Sequence, residues 1–235
     1  MVAHIGIVAC SAEGAALCYR TIALESQVRM GEHNHPRVTL DSIPMAEHMV
    51  CIRKNDWAGV GELMLDSARR VAAAGADFAI CPDNTVHQSF PYFLARSPIP
   101  FLSIAEVVAS EAEKKGFRKL GVLGTRYLME SDVYPSALSA KGIAREIPGA
   151  ADREKINTII FKELVNGVFP EPSRLYLNSV IGDLAALGCD GAVLGCTELP
   201  LIVRPDDAPL PTLDSTRLLA RAAIVRAVSG NERPA

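Results

Sequence analysis

Two short stretches of the chain carry side chains that could move a proton. The first, CPDNTVHQ, runs from Cys81 to Gln88 and crowds a thiol, a carboxylate, an amide, a hydroxyl and an imidazole behind the apolar run DFAI. The second, GCTELP, runs from Gly195 to Pro200 and sets a thiol beside a hydroxyl and a carboxylate. Polar groups at the end of an apolar strand of an α/β sheet are typical of a site.

Acid–base catalysis needs groups that exchange a proton near the working pH. A helix N-terminus favours a thiolate, so the turn after Cys196 is expected to support one. Burial behind an apolar strand is expected to shift Asp83 toward its neutral acid and make it a usable base. Two such groups on opposite faces of a carbon allow racemisation or epimerisation, and we predict that Asp83 and Cys196 form this pair.

Apolar runs that alternate with helix-length amphipathic segments must position these groups. HIGIVA, RVTLDSI, DFAIC, FLSI, KLGVLG, DGAVLG and PTLDS read as strands, and the segments separating most of them read as helices. Strands that are apolar throughout and alternate with helices indicate parallel sheets covered on both faces. The sequence therefore predicts an α/β fold.

Three pairs of segments recur in the same order. The pairs begin at Ile5 and Leu120, at Gly75 and Gly188, and at Pro100 and Pro211, with offsets of 115, 113 and 111 residues. We infer two pseudo-symmetric lobes, each with a small parallel sheet and with the active site in the cleft between them. The predicted division is 1–104 joined by 208–235, and 105–207. The offset of 113 sets Asp83 opposite Cys196.

Composition narrows the class of protein. The chain has 235 residues, 49% hydrophobic and 22% charged, with a net charge of −3, which predicts no nucleic-acid or membrane partner. No apolar run approaches the roughly 20 residues that span a bilayer, and the N-terminus reads as a strand. The six cysteines form no CxxC, which suits a reducing cytoplasm better than zinc or disulfides.

These motifs resemble those of the aspartate/glutamate racemase family over nearly the whole chain. GCTELPLI is similar to the C-terminal cysteine motif of the family, and DNTVH is similar to its CNTxH motif. IGIV, His35-Pro36, Gly124-Thr125 and LDST also fit. The resemblance implies a cofactor-independent racemase, cytoplasmic and homodimeric, that needs no metal, pyridoxal phosphate or nucleotide. The absence of GxGxxG and GxxxxGK[ST] motifs agrees with this.

The resemblance also assigns roles to individual residues. Cys196 would be one catalytic acid/base, and the partner of the chain would be a small substrate with a carboxylate. The substrate-binding residues implied by the resemblance are Ser11, Asn84, Thr85, Thr125 and Thr197. For Glu198 two roles are open, orienting the thiol or capping the helix, and for His87 a proton relay or a hydrogen bond within its loop.

The chain departs from the family pattern at several positions. The first cysteine of the family is replaced by Asp83, and Cys81 lies two residues earlier, roughly 6.6 Å away in an extended chain. The segment IPMAEHM lacks the Arg, and ELVNG lacks the Lys, that family members acting on aspartate carry; Asn166 stands in place of the Lys. Arg174 is a candidate replacement for one of these cations.

Two other functions remain open on the sequence alone. A single thiol could protonate an enolate after decarboxylation or elimination, which would make the protein a lyase and would not require an ionisable Asp83. Alternatively, the protein could be a small-molecule-binding relative without catalysis, although an intact Cys196 argues against that.

Overall fold

Two compact units make up the computed structural model, which describes residues 1–229. The first comprises Met1–Ile104 and the segment from Thr216 onward, and the second comprises Ala105–Ser215. Each unit contains one four-stranded sheet in which all paired strands are parallel. The predicted fold class, two α/β lobes with a small parallel sheet each, is confirmed.

The first unit has the strand order β2-β1-β3-β4. Its central strands are fully buried because they carry only apolar residues and glycine, and helix α4 packs against β1 and β3. The elements are β1 (Ile5–Ala9), α1 (Ala12–Glu25), α2 (Gln27–Met30), β2 (Val38–Ser42), α3 (Met45–Ile52), α4 (Trp57–Ala73), β3 (Phe78–Ile80), a 3₁₀ helix (Asn84–Ser89), α5 (Phe90–Phe93), a 3₁₀ helix (Leu94–Arg96) and β4 (Phe101–Leu102).

The second unit repeats this order as β6-β5-β7-β8. Helices α9 and α10 supply much of its buried core, with Ile156, Ile160, Leu177 and Leu184 among the residues packed there. The elements of this unit are α6 (Ile104–Lys114), β5 (Lys119–Leu123), α7 (Arg126–Met129), α8 (Val133–Ser139), β6 (Ala144–Glu146), α9 (Ala150–Lys162), a 3₁₀ helix (Leu164–Asn166), α10 (Glu171–Ala186), β7 (Gly191–Leu194), α11 (Leu199–Ile202) and β8 (Thr212–Asp214). The last helix, α12 (Ser215–Ser229), belongs to the first unit from Thr216 onward.

The pairing registers of the two sheets reproduce the offsets of the sequence repeat. Ile5 pairs with Phe78 in the first sheet, and Leu120 pairs with Gly191 in the second. Ala79 pairs with Phe101, as Ala192 pairs with Thr212. These positions differ by 115, 113 and 111 residues, so the repeat seen in the sequence is a repeat of sheet register.

Two further details recur in both units. Asp77 accepts the backbone N–H of His4 at 2.7 Å, and Asp190 accepts that of Lys119 at 3.1 Å, which fixes the start of β1 and of β5. A Cβ added to Gly6 would lie 2.8 Å from Val71, and one added to Gly121 would lie 2.7 Å from Leu184. Glycine at these positions of β1 and β5 lets a helix approach closely.

The boundary between the units differs from the division suggested by the sequence. The sequence-based division assigns residues 208–215 to the first lobe. In the structure β8 pairs with β7, so these residues belong to the second unit. Within the described residues, no helix is both long and apolar enough to cross a bilayer.

Candidate functional site

The predicted site residues of the first unit lie at the carboxyl end of its sheet. β1 ends at Ala9 and is followed by Ser11, and β3 ends at Ile80 and is followed by Asp83. Because neighbouring parallel strands end at the same edge of a sheet, the two loops meet there. The structure thus brings Ser11 and Asp83 together although 72 residues separate them.

The carboxylate of Asp83 is held at the N-terminus of helix α1. Its Oδ2 accepts the backbone N–H of Cys10 at 2.9 Å and that of Ser11 at 3.3 Å. Ser11 is the N-cap of α1, and its Oγ accepts the N–H of Gly14 at 3.2 Å. Backbone N–H donors and a helix N-terminus both stabilise a negative charge. This geometry favours the ionised carboxylate, whereas the sequence suggested a shift toward the neutral acid.

Cys81 lies in the core beneath this loop. It is fully buried, and its Sγ is 3.9 Å from the carbonyl oxygen of Asp83. Burial raises the pKa of the Cys81 thiol well above its usual value, and the nearby charge of Asp83 raises it further. The thiol of Cys81 is therefore protonated at neutral pH and packs as a small apolar group.

His87 fixes the turn that follows Asp83. Its Nε2 lies 3.0 Å from the carbonyl oxygen of Cys81, and its ring stacks on Phe90 with 4.0 Å between centroids. Burial lowers the pKa of His87 to about 4, so the ring is neutral and donates from Nε2. Of the two roles left open for His87, the structure favours the loop hydrogen bond.

Asn84 and Thr85 begin the 3₁₀ helix after Asp83. The side chain of Asn84 is buried and that of Thr85 is partly buried. A hydrogen bond from Nε2 of Gln88 to the carbonyl oxygen of Thr85, at 3.3 Å, stabilises this short helix. Both residues are thus positioned beside Asp83 at the same sheet edge.

In the second unit, Cys196 follows β7 and contacts the side chain of Glu198. Its Sγ donates to Glu198 Oε2 at 2.9 Å. Cys196 is partly buried, while Thr197 and Glu198 are each 2% exposed. Glu198 stands at the N-cap of α11 but makes no capping hydrogen bond with its side chain. Of its two proposed roles, orienting the thiol therefore fits the structure and capping does not.

Thr125 lies on the neighbouring loop, after β5. It is the N-cap of α7, and its Oγ1 accepts the N–H of Leu128 at 3.2 Å. Since β5 and β7 pair in parallel, Thr125 and Cys196 share one edge of the second sheet. Gly195 is required there because a Cβ would lie 2.6 Å from Leu128 and 2.8 Å from the oxygen of Leu123.

Of two buried residues near Cys196, Tyr134 was not singled out from the sequence, and Ser215 was noted only as part of the LDST motif. Ser215 donates from Oγ to the carbonyl oxygen of Leu194 at 2.8 Å, and Tyr134 hydrogen-bonds to Ser215. No residue pattern marks Tyr134, which lies in a mixed polar segment, and its partner is distant in sequence. Among residues 1–229, no group of three or more His, Cys, Asp or Glu side chains is arranged to hold a metal ion.

Comparison with known proteins decides the family. The sequence profile of the Asp/Glu/Hydantoin racemases matches residues 5–223. The chain belongs to the Asp/Glu/Hydantoin racemase family. The predicted resemblance is thereby confirmed.

Solved members of this racemase family share the fold. The crystal structure of a candidate Asp/Glu racemase from Yersinia pestis is 33% identical, with a TM-score of 0.87 over 96% of this chain and 99% of that one. An aspartate racemase homologue from Pyrococcus horikoshii is 28% identical, with a TM-score of 0.82 over 97% and 100% of the two chains.

A curated relative is longer than this chain. A glutamate racemase of Thermus thermophilus is 29% identical over 184 residues, which are 74% of this chain and 61% of that protein. The match therefore spans 61% of the length of that glutamate racemase.

Two positions of this racemase-family chain were considered as anchors for a second carboxylate of the substrate. Neither offers an unpaired positive charge. Arg174 is held by the carboxylates of Glu171 and Asp207, and its Nε lies 2.8 Å from Glu171 Oε2. Asn166 donates from Nδ2 to the carbonyl oxygen of Lys162 at 3.1 Å and is exposed. Arg174 is thus paired with two carboxylates, and Asn166 carries no charge.

Proposed function

We propose that the protein is a cofactor-independent racemase or epimerase of an amino acid, aspartate- or glutamate-like, or of a related small carboxylic acid. The observation that carries the proposal is the thiol of Cys196 at the carboxyl end of β7, directed by a buried carboxylate 2.9 Å away. Membership of the racemase family, with relatives described as glutamate and broad-specificity amino-acid racemases, supports the reaction type.

In the proposed reaction, Asp83 and Cys196 serve opposite faces of the α-carbon. The carboxylate of Asp83 takes the α-proton, and the C–H electron pair moves into an enolate of the substrate carboxylate. Cys196 then delivers its S–H proton to the other face, leaving a thiolate. Proton exchange with solvent resets the two groups, so no atom or electron is gained or lost.

The structure supports these starting protonation states. The amides of Cys10 and Ser11 favour the carboxylate of Asp83, and the contact with Glu198 holds the proton on Cys196. The two groups thus begin as a base and an acid, which suits removal of one proton and delivery of another.

Substrate binding is proposed to depend on hydroxyl and amide side chains at the two sheet edges. Asn84 and Thr85 in the first unit and Thr197 in the second would hold the substrate carboxylate, with Ser11 and Thr125 adding hydrogen bonds. Donors placed on that carboxylate gain strength as charge develops on it in the enolate-like transition state. A homodimer and a cytoplasmic location remain predictions from the family.

A screen in heavy water tests this proposal. Both enantiomers of each proteinogenic amino acid are incubated with the enzyme in D₂O, and the α-hydrogen and the configuration are followed by NMR and chiral chromatography. We expect at least one pair to incorporate deuterium with inversion. Absence of exchange in every amino acid would count against an amino-acid racemase.

One observation favours a second candidate, a single-thiol lyase acting on a small carboxylic acid. Asp83 is bound by two backbone amides, and such an anion could hold the β1–α1 loop without taking part in proton transfer. In that case Cys196 would protonate a carbanion formed by loss of carbon dioxide or another group. The same screen with malonate-type acids would then show loss of mass from the substrate in place of inversion.

A further inference from the structure

Two buried hydroxyl groups lie at the end of β7, next to the loop that carries Cys196. Ser215 is 0% exposed and donates from Oγ to the carbonyl oxygen of Leu194 at 2.8 Å. Tyr134 is 1% exposed and hydrogen-bonds to Ser215. Leu194 is the last residue of β7, two residues before Cys196. The pair therefore hydrogen-bonds to the backbone next to the proposed catalytic thiol.

Gly195, the residue after Leu194, is hydrogen-bonded to the neighbouring strand and lies near the ring of Tyr134. Gly195 donates its N–H to the carbonyl oxygen of Leu123 at 2.7 Å. A Cβ on Gly195 would lie 3.7 Å from Cε2 of Tyr134, which is ordinary van der Waals contact with the ring. The ring of Tyr134 thus lies beside Gly195, and its hydroxyl is linked to Leu194 through Ser215.

The direction of the hydrogen bonds follows from the donor inventory. A serine hydroxyl has one hydrogen, and that of Ser215 points to Leu194. The phenol hydrogen of Tyr134 is then the one that joins it to Ser215 Oγ. Burial raises the pKa of the Tyr134 phenol, so it stays a donor across the working pH range.

We propose that Tyr134 and Ser215 are positioning residues for Cys196, forming a hydroxyl relay that fixes Leu194 and Gly195 so that the thiol points to Glu198 and to the substrate. The inference rests on the proposed role of Cys196. Chains of hydrogen bonds in a dry environment hold geometry well because each donor polarises the next.

Tyr134→Phe tests the relay by removing one hydroxyl and keeping the ring. We expect kcat to fall about tenfold with KM changed less than about twofold, since substrate contacts are untouched. We also expect Cys196 to react about threefold faster with iodoacetamide at pH 7, followed by peptide mass spectrometry, because its Sγ would leave Glu198 more often.

Tyr176→Phe is the matched control. Its hydroxyl donates to Asp152 Oδ1 at 2.5 Å in the same unit, on the helices α9 and α10. We expect this variant to stay within about twofold of wild type in kcat and in alkylation rate. Ser215→Ala should reproduce the loss of Tyr134→Phe, and the double variant should lose no more than Ser215→Ala alone.

Two outcomes would overturn the relay. One is a Tyr134→Phe enzyme that matches Tyr176→Phe in both readouts, and the other is additive losses in the double variant. The alkylation rate does not need turnover, so it tests the relay even if no amino acid proves to be a substrate. Turnover in the wild type with an unaffected Tyr134→Phe would reject the relay and keep the racemase.

Discussion

At the scale of single residues, the two proposed acid–base groups differ in what surrounds them. Asp83 has backbone N–H donors on its carboxylate, whereas Cys196 faces a carboxylate acceptor. Donors favour an anion, and an acceptor favours a group that keeps its proton. The proposed reaction therefore starts from a carboxylate at Asp83 and a thiol at Cys196.

The variant Asp83→Asn tests whether Asp83 acts as a base or only anchors its loop. The amide oxygen can still accept from Cys10 and Ser11, so the fold should survive while the proton acceptor is lost. We expect racemisation to fall by at least about 100-fold. One enantiomer should still exchange its α-hydrogen with D₂O through Cys196, as followed by NMR. Asp83→Cys, which offers a thiol in its place, should retain racemase activity.

Asp190→Asn is the control for that experiment. Its carboxylate also accepts two consecutive backbone N–H groups, those of Arg118 at 2.7 Å and Lys119 at 3.1 Å, but at the start of β5 and not at its end. Its racemisation rate should stay near that of wild type. If Asp83→Asn racemises equally well, Asp83 is an anchor and the single-thiol reaction takes precedence.

At the scale of elements, two buried histidines make the first unit sensitive to acid. His48 on α3 is 1% exposed, and neither ring nitrogen has a hydrogen-bond partner in the described structure. Burial lowers the pKa of both His48 and His87 to about 4. The unfolded chain binds more protons than the folded one between about pH 6.5 and pH 4, so stability falls as the pH drops through that window.

His48→Leu should weaken this acid sensitivity. Wild type should lose on the order of 2 kcal/mol through His48 between pH 7 and pH 5, and the variant should lose correspondingly less. The free energy of unfolding in urea, read from the single tryptophan, Trp57, on α4 of the same unit, provides the measurement. His35→Gln, at an exposed histidine, is the control. Equal pH dependence in the His48 and His35 variants would refute the prediction.

The elements also show what sequence patterns can and cannot predict. Most strands were predicted because they are apolar runs, and the longer helices were predicted because they are amphipathic. The helix α3 and the strand β6 were not predicted, since α3 follows Pro44 with eight residues and β6 is a three-residue strand that begins with an exposed alanine. A short helix gives too few turns for a periodic signal, and Arg145 and Glu146 leave β6 without the apolar run that marks most of the other strands.

At the scale of the whole molecule, the internal repeat relates the two proposed acid–base positions to one another. The offset of 113 identified Asp83 and Cys196 as equivalent positions, and the two sheets share that register. The hydrogen bonds that set their chemistry could not be predicted. The amides of Cys10 and Ser11 meet Asp83 only after β1 and β3 pair, and the relay through Tyr134 forms only after α8 packs near β8.

The loss of α-hydrogen exchange in Cys196→Ala tests the central claim most directly. Exchange with D₂O is measured by NMR on the amino acid that wild type racemises, with Cys81→Ala as the matched buried-thiol control. We predict that Cys196→Ala retains its circular dichroism spectrum but loses at least about 100-fold in racemisation and in exchange at its face of the carbon. Cys81→Ala should stay within about threefold of wild type. Comparable losses in both variants, or an active Cys196→Ala enzyme, would contradict the assignment of the catalytic thiol.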